Sequence, residues 1–340
     1  MHSLSAPLEQ IGQLRALLAS PKRCVIVTHY NPDGDAMGSA LGLMHLLNAL
    51  GHSAQVVLPN TPPGFLHWMP GYDTTLALDR DKTNAEVMVR DAEVLFCLDF
   101  NRTDRVGGLE DALKAALVKV LIDHHQEPED FAMIAFSDTE ASSTCQMVAD
   151  IAEAMGVFDQ VDKYSATCLY TGIVTDSGSF RYSSTTPHTM RVAADLIEKG
   201  VEVAVVHESI LNDERASRLK LLGFALNERM EVLPELGTAI MHLTKDDLKR
   251  FDYQAGDTEG FVNYGLTIRG IRLAALFMER PDVVKVSLRS RGDLAVDRFL
   301  KEHFNGGGHR NAAGGNTKES LSQALARFKT LLPSLVAQGE

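Results

Sequence analysis

Short apolar runs alternate with amphipathic stretches through the first half of the chain. RCVIVTH (23–29), SAQVVLP (53–59), AEVLFCLDF (92–100), VKVLIDHH (118–125) and MIAFSD (133–138) are aliphatic or β-branched runs bounded by polar residues. Each predicts a strand. DAMGSALGLMHLLNAL (35–50) carries apolar residues at helical spacing and stops at Gly51, a residue suited to ending a helix. Strands alternating with helices of this length predict parallel βαβ units. Helices then dominate, over roughly 143–155, 163–175 and 187–199, and residues 1–20 read as a further helix.

A helix over about 212–230 has the length and charge of a connector. Beyond it TAIMHLT (238–244), RLAALFMER (272–280) and VVKVSLRS (283–290) read as strands, the last two joined by a hairpin at Arg280-Pro281-Asp282. A helix (295–304), a glycine cluster and a final helix (317–331) follow. The expected fold class is α/β, with a domain over 1–200 built on a parallel sheet, a helical linker over 201–230 and a smaller α/β domain over 231–340. A chain of 340 residues fits two domains better than one.

Composition narrows the class. Hydrophobic residues make up 45% and charged residues 23%, as in ordinary globular proteins. No apolar run is long enough for a membrane span, and the first residues lack the apolar core of a signal peptide. Cys24, Cys97, Cys145 and Cys168 lie far apart, each among apolar neighbours, which suits buried thiols in a reducing, cytoplasmic setting. The net charge of −12 argues against a long nucleic-acid duplex as partner. Residues 265–330 depart from that balance, with 12 Lys and Arg against 6 Asp and Glu.

The candidate chemistry lies where the first-half strands end. One ends in THYNPDGDAMGS, with His29, Asp33 and Asp35; another at Asp99; a third at Asp123-His124-His125. A predicted helix adds Asp176 in YTGIVTDSGSFRY. In an open parallel sheet the carboxyl ends of the strands face one crevice. Several carboxylates there repel one another unless a cation compensates. Oxygen-rich donors with some imidazole suit manganese or magnesium, and five Asp with three His suit two ions rather than one. Taken singly, each residue has a blander reading: Asp33 in an Asx-turn, Asp35 or Asp99 as a cap, a histidine as an ordinary structural residue. Capping does not explain such residues at every strand end on one side.

HYNPDGDAMGS, LDFN, DHH, TDSGSF and GGGHRNAAGG occur in that order over nearly the whole chain. By them the sequence resembles the DHH phosphoesterase family, in its standalone form with a C-terminal DHHA1 domain, the oligoribonuclease type. The resemblance implies a cleft between the two domains as the active site. It implies His29 and Asp33 on one metal ion, Asp35, His124 and Asp176 on a second, and Asp99 bridging the two. A water or hydroxide between the ions would be the nucleophile. Asp123 would orient an imidazole, and His125 would face the substrate phosphate or leaving group rather than a metal. Asp99, His125 and Asp123 are thus the catalytic candidates. Ser177, where a threonine is common, and Asn31 are minor departures.

Glycines let backbone amides approach an anion. The resemblance gives Gly306, Gly307, Gly308, His309 and Arg310 the grip on the substrate phosphate, with Arg289 flanking them. A flexible connection between helices is the competing reading of that segment. Ser142-Ser143-Thr144 reads first as a helix cap, with a phosphate contact as the other reading. The segment around Trp68 reads as an ordered loop packed on the domain.

The expected activity is hydrolysis of short single-stranded RNA to mononucleotides, with 3′-phosphoadenosine 5′-phosphate as a further small nucleotide substrate. Two divalent ions serve as cofactors, manganese first and magnesium second. The alternatives are a cyclic or linear dinucleotide phosphodiesterase, and a non-catalytic nucleotide-binding protein that kept the fold. A homo-oligomer is compatible with the sequence, and no membrane partner is expected.

Overall fold

In a computed structural model, residues 8–211 and 215–337 are described, so the beginnings of the two helices expected from residues 1 and 212 lie outside the described residues. The chain divides into two compact units, residues 1–213 and 214–340.

The first unit holds α1 (Leu8–Leu17), β1 (Arg23–Val27), α2 (Gly34–Ala49), β2 (Ser53–Leu58), β3 (Leu76–Ala77), α3 (Lys82–Arg90), β4 (Val94–Leu98), α4 (Glu110–Ala115), β5 (Lys119–Asp123), β6 (Ile134–Ser137), α5 (Thr144–Ala154), α6 (Lys163–Asp176), α7 (Pro187–Glu198) and α8 (Val203–Leu211). Its six strands are all parallel, in the order β3-β2-β1-β4-β5-β6. The chain begins at the centre with β1, winds outward to β3, then returns to β4 and winds outward the other way. The switch point therefore falls between β1 and β4.

Both sheet faces are covered, which is why the strands read as unbroken apolar runs. Cys24, Ile26, Phe96, Leu98 and Ile122 pack with α1, α2, α5 and α6. Their alternating neighbours Val25, Val27, Leu95, Cys97 and Leu121 pack with α3 and α4 on the other face. All four cysteines are free thiols and buried. Trp68 is partly buried against the first core.

Helices α2 and α6 approach closely because α2 turns a stripe of glycines, Gly34, Gly38 and Gly42, toward α6. A β-carbon at Gly38 would lie 2.6 Å from the carbonyl oxygen of Cys168. At Gly42 it would lie 2.6 Å from the Leu169 side chain. This approach sets Asp35, at the start of α2, close to Asp176, at the end of α6.

The second unit holds α9 (Ala216–Glu228), β7 (Met230–Leu233), β8 (Thr238–Leu243), α10 (Lys245–Arg250), α11 (Phe261–Gly265), β9 (Leu273–Glu279), β10 (Val284–Ser290), α12 (Val296–His303), β11 (Gly307–His309), β12 (Ala312–Thr317) and α13 (Leu321–Ala337). Its sheet order is β11-β12-β10-β9-β8-β7, antiparallel except for β8 beside β9. The glycine-rich segment is an antiparallel hairpin, β11–β12, rather than a loop between helices. The last helix starts later than expected, at Leu321, because Thr317 still pairs with Val284. Among the described residues, no helix is long and apolar enough to cross a membrane.

Candidate metal centre

The carboxyl-end edge of the first sheet carries the acidic group. His29 lies just past β1, Asp99 directly follows β4, and Asp123 closes β5. Asp33 is the N-cap of α2, its Oδ1 accepting the amides of Asp35 and Ala36 at 3.0 and 3.1 Å. Asp35 sits two residues later, in the first turn of α2, and is free of that capping task. Asp99 adopts a left-handed backbone (φ 65°), as does Asn31 (φ 58°). Asp and Asn tolerate this region better than other side chains, and such conformations gather at functional sites.

One ligand atom from each of His29, Asp33 and Asp99 lies within 4.8 Å of the other two. The same holds for Asp35, His124 and Asp176, and for Asp99, Asp123 and His125. Asp99 stands between the first two groups. Its Oδ2 is 3.5 Å from Nε2 of His29, and its Oδ1 is 3.5 Å from Nε2 of His124. Nε2 of His124 is also 3.7 Å from both Asp35 and Asp176.

The two imidazoles are oriented from behind. Nδ1 of His29 donates to the Tyr30 carbonyl at 3.0 Å, and Nδ1 of His124 to the Ala141 carbonyl at 3.3 Å. A carbonyl can only accept, so the hydrogen sits on Nδ1 and Nε2 is the nitrogen turned to the carboxylates. Both rings thereby present the atom a cation would take.

The electrostatics show how the charges in the cluster balance. Burial disfavours charge on His29, yet the Asp33 and Asp99 carboxylates outweigh it and raise its pKa to about 10. His124 is raised for the same reasons, burial opposing and Asp99 leading the carboxylates that raise it. Asp35 is pushed well above the carboxylate range by burial, then by the charges of Asp99 and Asp176. Burial raises Asp176 to about 6. Asp99 goes the other way, because the imidazoles of His124 and His29 overcome its burial. Protons on imidazole thus balance the carboxylates, and a divalent cation would do so with the same atoms. The donor set, carboxylate oxygens with two Nε2 atoms, fits such an ion.

The DHH family, N-terminal domain, matches residues 23–173, and the DHHA1 domain matches residues 238–337. The bifunctional oligoribonuclease and PAP phosphatase NrnA of Thermus thermophilus is 33% identical over 305 residues, 89% of this chain and 86% of that protein. The chain belongs to the DHH family. The Bacillus subtilis protein of the same name is 28% identical over 90% of this chain and 94% of its own length. A crystal structure of an exopolyphosphatase-related protein from Bacteroides fragilis superposes with a TM-score of 0.94 at 36% identity, covering 99% of both chains.

The tripeptide for which the DHH family is named lies at the end of β5. Strand β5 ends at Asp123, so His124 and His125 leave the sheet and turn to one side together. Their rings meet edge to face at 5.1 Å, and Nδ1 of His125 lies 3.8 Å from Oδ1 of Asp99. Asp123 orients His125, not His124: its Oδ1 accepts from Nδ1 at 2.8 Å and its Oδ2 from the backbone N–H at 3.2 Å.

The other expected group belongs to the second unit. Arg289 is on β10, paired with Ala312 of β12, and β12 in turn pairs Ala312 with His309. Gly306 precedes β11, which contains Gly307, Gly308 and His309. The hairpin itself demands two of these glycines. A β-carbon at Gly306 would lie 2.4 Å from the Gly314 carbonyl, and Gly308 holds φ 139° against the Ala312 carbonyl. Gly307 has open space in that position. Arg310 is paired with Asp293 at 2.8 Å.

Phe180, four residues after Asp176, packs partly buried against the first core. The sequence reading missed the α2 glycine stripe, whose spacing of four residues was its signal. Of Ser142-Ser143-Thr144, read as a helix cap, Ser143 is the cap of α5.

Proposed function

We propose that this chain is a metal-dependent phosphoesterase that hydrolyses short oligoribonucleotides to mononucleotides, with 3′-phosphoadenosine 5′-phosphate as a second substrate. The observation that carries the reading is the Asp99 carboxylate, placed with one oxygen toward His29 and the other toward His124. That arrangement suits a residue shared by two ions. His29 and Asp33 would hold one, and Asp35, His124 and Asp176 the other, manganese first and magnesium second. Divalent ions bound there polarise a phosphoryl oxygen and lower the pKa of a water. Asp123 keeps a hydrogen on Nδ1 of His125, so His125 exchanges its proton with the substrate or leaving group at Nε2. Arg289, Gly306, Gly307, Gly308, His309 and Arg310 serve substrate binding on the second unit, beyond a linker placed at 201–230. The activities for which the two NrnA relatives are named support the substrate class. Buried free thiols support a cytoplasmic location.

A panel assay with manganese tests this: a dinucleotide, a pentanucleotide, 3′-phosphoadenosine 5′-phosphate and cyclic dinucleotides. Turnover of the first three is expected. Turnover of the cyclic dinucleotides alone would replace the proposed substrate, and turnover of none would end the reading.

A further inference from the structure

The start of α5 touches two of the site carboxylates at once. The Thr144 backbone N–H donates to Oδ2 of Asp35 at 2.6 Å, and the Cys145 N–H to Oδ1 at 2.9 Å. The Thr144 hydroxyl donates to Oδ1 of Asp99 at 3.0 Å. Thr144 has no exposed surface, and each carboxylate residue has only 2%. The helix does not need this hydroxyl for its own start. That task falls to Ser143, whose Oγ accepts the Gln146 N–H at 3.0 Å.

We infer that Thr144 is a positioning residue for the metal centre. The inference rests on the reading of this cluster as one. The terminal torsion of an aspartate is broad and roughly twofold, so nothing intrinsic holds the plane of its carboxylate. Asp99 has to keep one oxygen on the His29 side and the other on the His124 side. The Thr144 hydroxyl, bonded to the oxygen on the His124 side, holds that rotation. The two amides hold the Asp35 carboxylate in the same way, one N–H on each oxygen. Because the hydroxyl bond and one amide bond come from a single residue, Thr144 also fixes the spacing between Asp35 and Asp99. Its hydroxyl keeps its own proton, so Asp99 stays an anion with lone pairs for a cation. Helix α5, with no metal-ligating candidate of its own, thereby sets the shape of the site.

The test compares Thr144→Val, which removes the hydroxyl and keeps the amide, with Thr144→Ser, which keeps both. Ser165→Ala is the control. Ser165 is also fully buried, and its Oγ donates to the Gly42 carbonyl at 2.8 Å, at the far end of α6 from Asp176. Manganese chloride is titrated calorimetrically into each full-length, metal-free protein, and unfolding is followed without metal. T144V should bind manganese about 10–100-fold more weakly, the cost usual for a group that orients a ligand. T144S should stay within about threefold of the wild type. S165A should lose stability and keep its manganese affinity. Equal affinity of T144V and the wild type overturns the inference and leaves the metal centre standing, as does an equal loss in T144V and T144S. A wild type that binds neither manganese nor magnesium overturns the reading beneath it. If T144V does not fold, Thr144→Ala removes the same hydroxyl without the added methyl. Failure of both to fold makes Thr144 a structural residue and overturns the inference.

Discussion

Nδ1 of His125 lies 2.8 Å from Oδ1 of Asp123, a carboxylate residue with no exposed surface. The pair fixes which ring nitrogen carries the hydrogen. Asp123→Asn keeps the shape but offers an amide that can face His125 with either its oxygen or its N–H. We expect kcat to fall about 100-fold, the contribution of a well-placed proton-transfer group. Manganese affinity should change little, since His125 is not assigned to an ion. A D123N enzyme with wild-type kcat would remove His125 from proton transfer.

Asp99 is the residue on which both metal groups depend. Asparagine tolerates its left-handed backbone better than alanine would, so Asp99→Asn separates chemistry from strain. Hydrolysis should fall about 1000-fold, roughly 4 kcal/mol in barrier height, with an unchanged circular dichroism spectrum. Manganese-dependent turnover near the wild-type rate would exclude a shared carboxylate.

Metal uptake should expel protons. His29, raised to about 10, carries a proton in the metal-free protein at neutral pH, and His124 is raised as well. A metal takes the deprotonated ring, so binding at pH 7 should release at least the His29 proton, and affinity should rise with pH. For the metal-free fold the sign is opposite. A raised histidine adds stability in full below its ordinary value of 6.5, and that stability drains away as pH climbs toward 10. Calorimetry in buffers of different ionisation heat reads the proton count. No release at pH 7 would contradict the charge balance described here.

The α2–α6 contact links packing to the site. In Gly38→Ala the new methyl would meet the Cys168 carbonyl at 2.6 Å and the Cys145 sulfur at 2.8 Å. The backbone oxygen cannot retreat, so α2 must shift. We expect a loss of about 1–3 kcal/mol in urea unfolding, together with weaker manganese binding, because Asp35 moves with α2. Gly12→Ala in α1 is the counterpart: nothing lies within 4 Å of its new methyl, and stability should rise by up to about 1 kcal/mol. Equal effects of the two substitutions would show that the close approach does not matter.

The strands of the first sheet were legible because both faces are buried, which leaves long apolar runs such as VLFCL (94–98). The short β3, with only Leu76 and Ala77, leaves no such trace. The hairpin β11–β12 was illegible for a different reason. Its strands consist largely of glycine and alanine, which carry no alternation of apolar and polar side chains, and the pairing of β12 with β10 and of β11 with β12 is what makes them strands. His124 and His125 lie past Asp123, where the pairing with β6 ends, so strand periodicity does not say which way they turn.

By itself, the sequence determined which residues are available for chemistry and that they stand at successive strand ends, because strand ends and polar residues are local features. Only the tertiary structure decided that Asp99 faces His29 with one oxygen and His124 with the other, and that Thr144 reaches Asp35 and Asp99. Those relations join residues far apart in the chain. They arise from the order of strands in the sheet and from how closely α2, α5 and α6 pack, which no local pattern encodes.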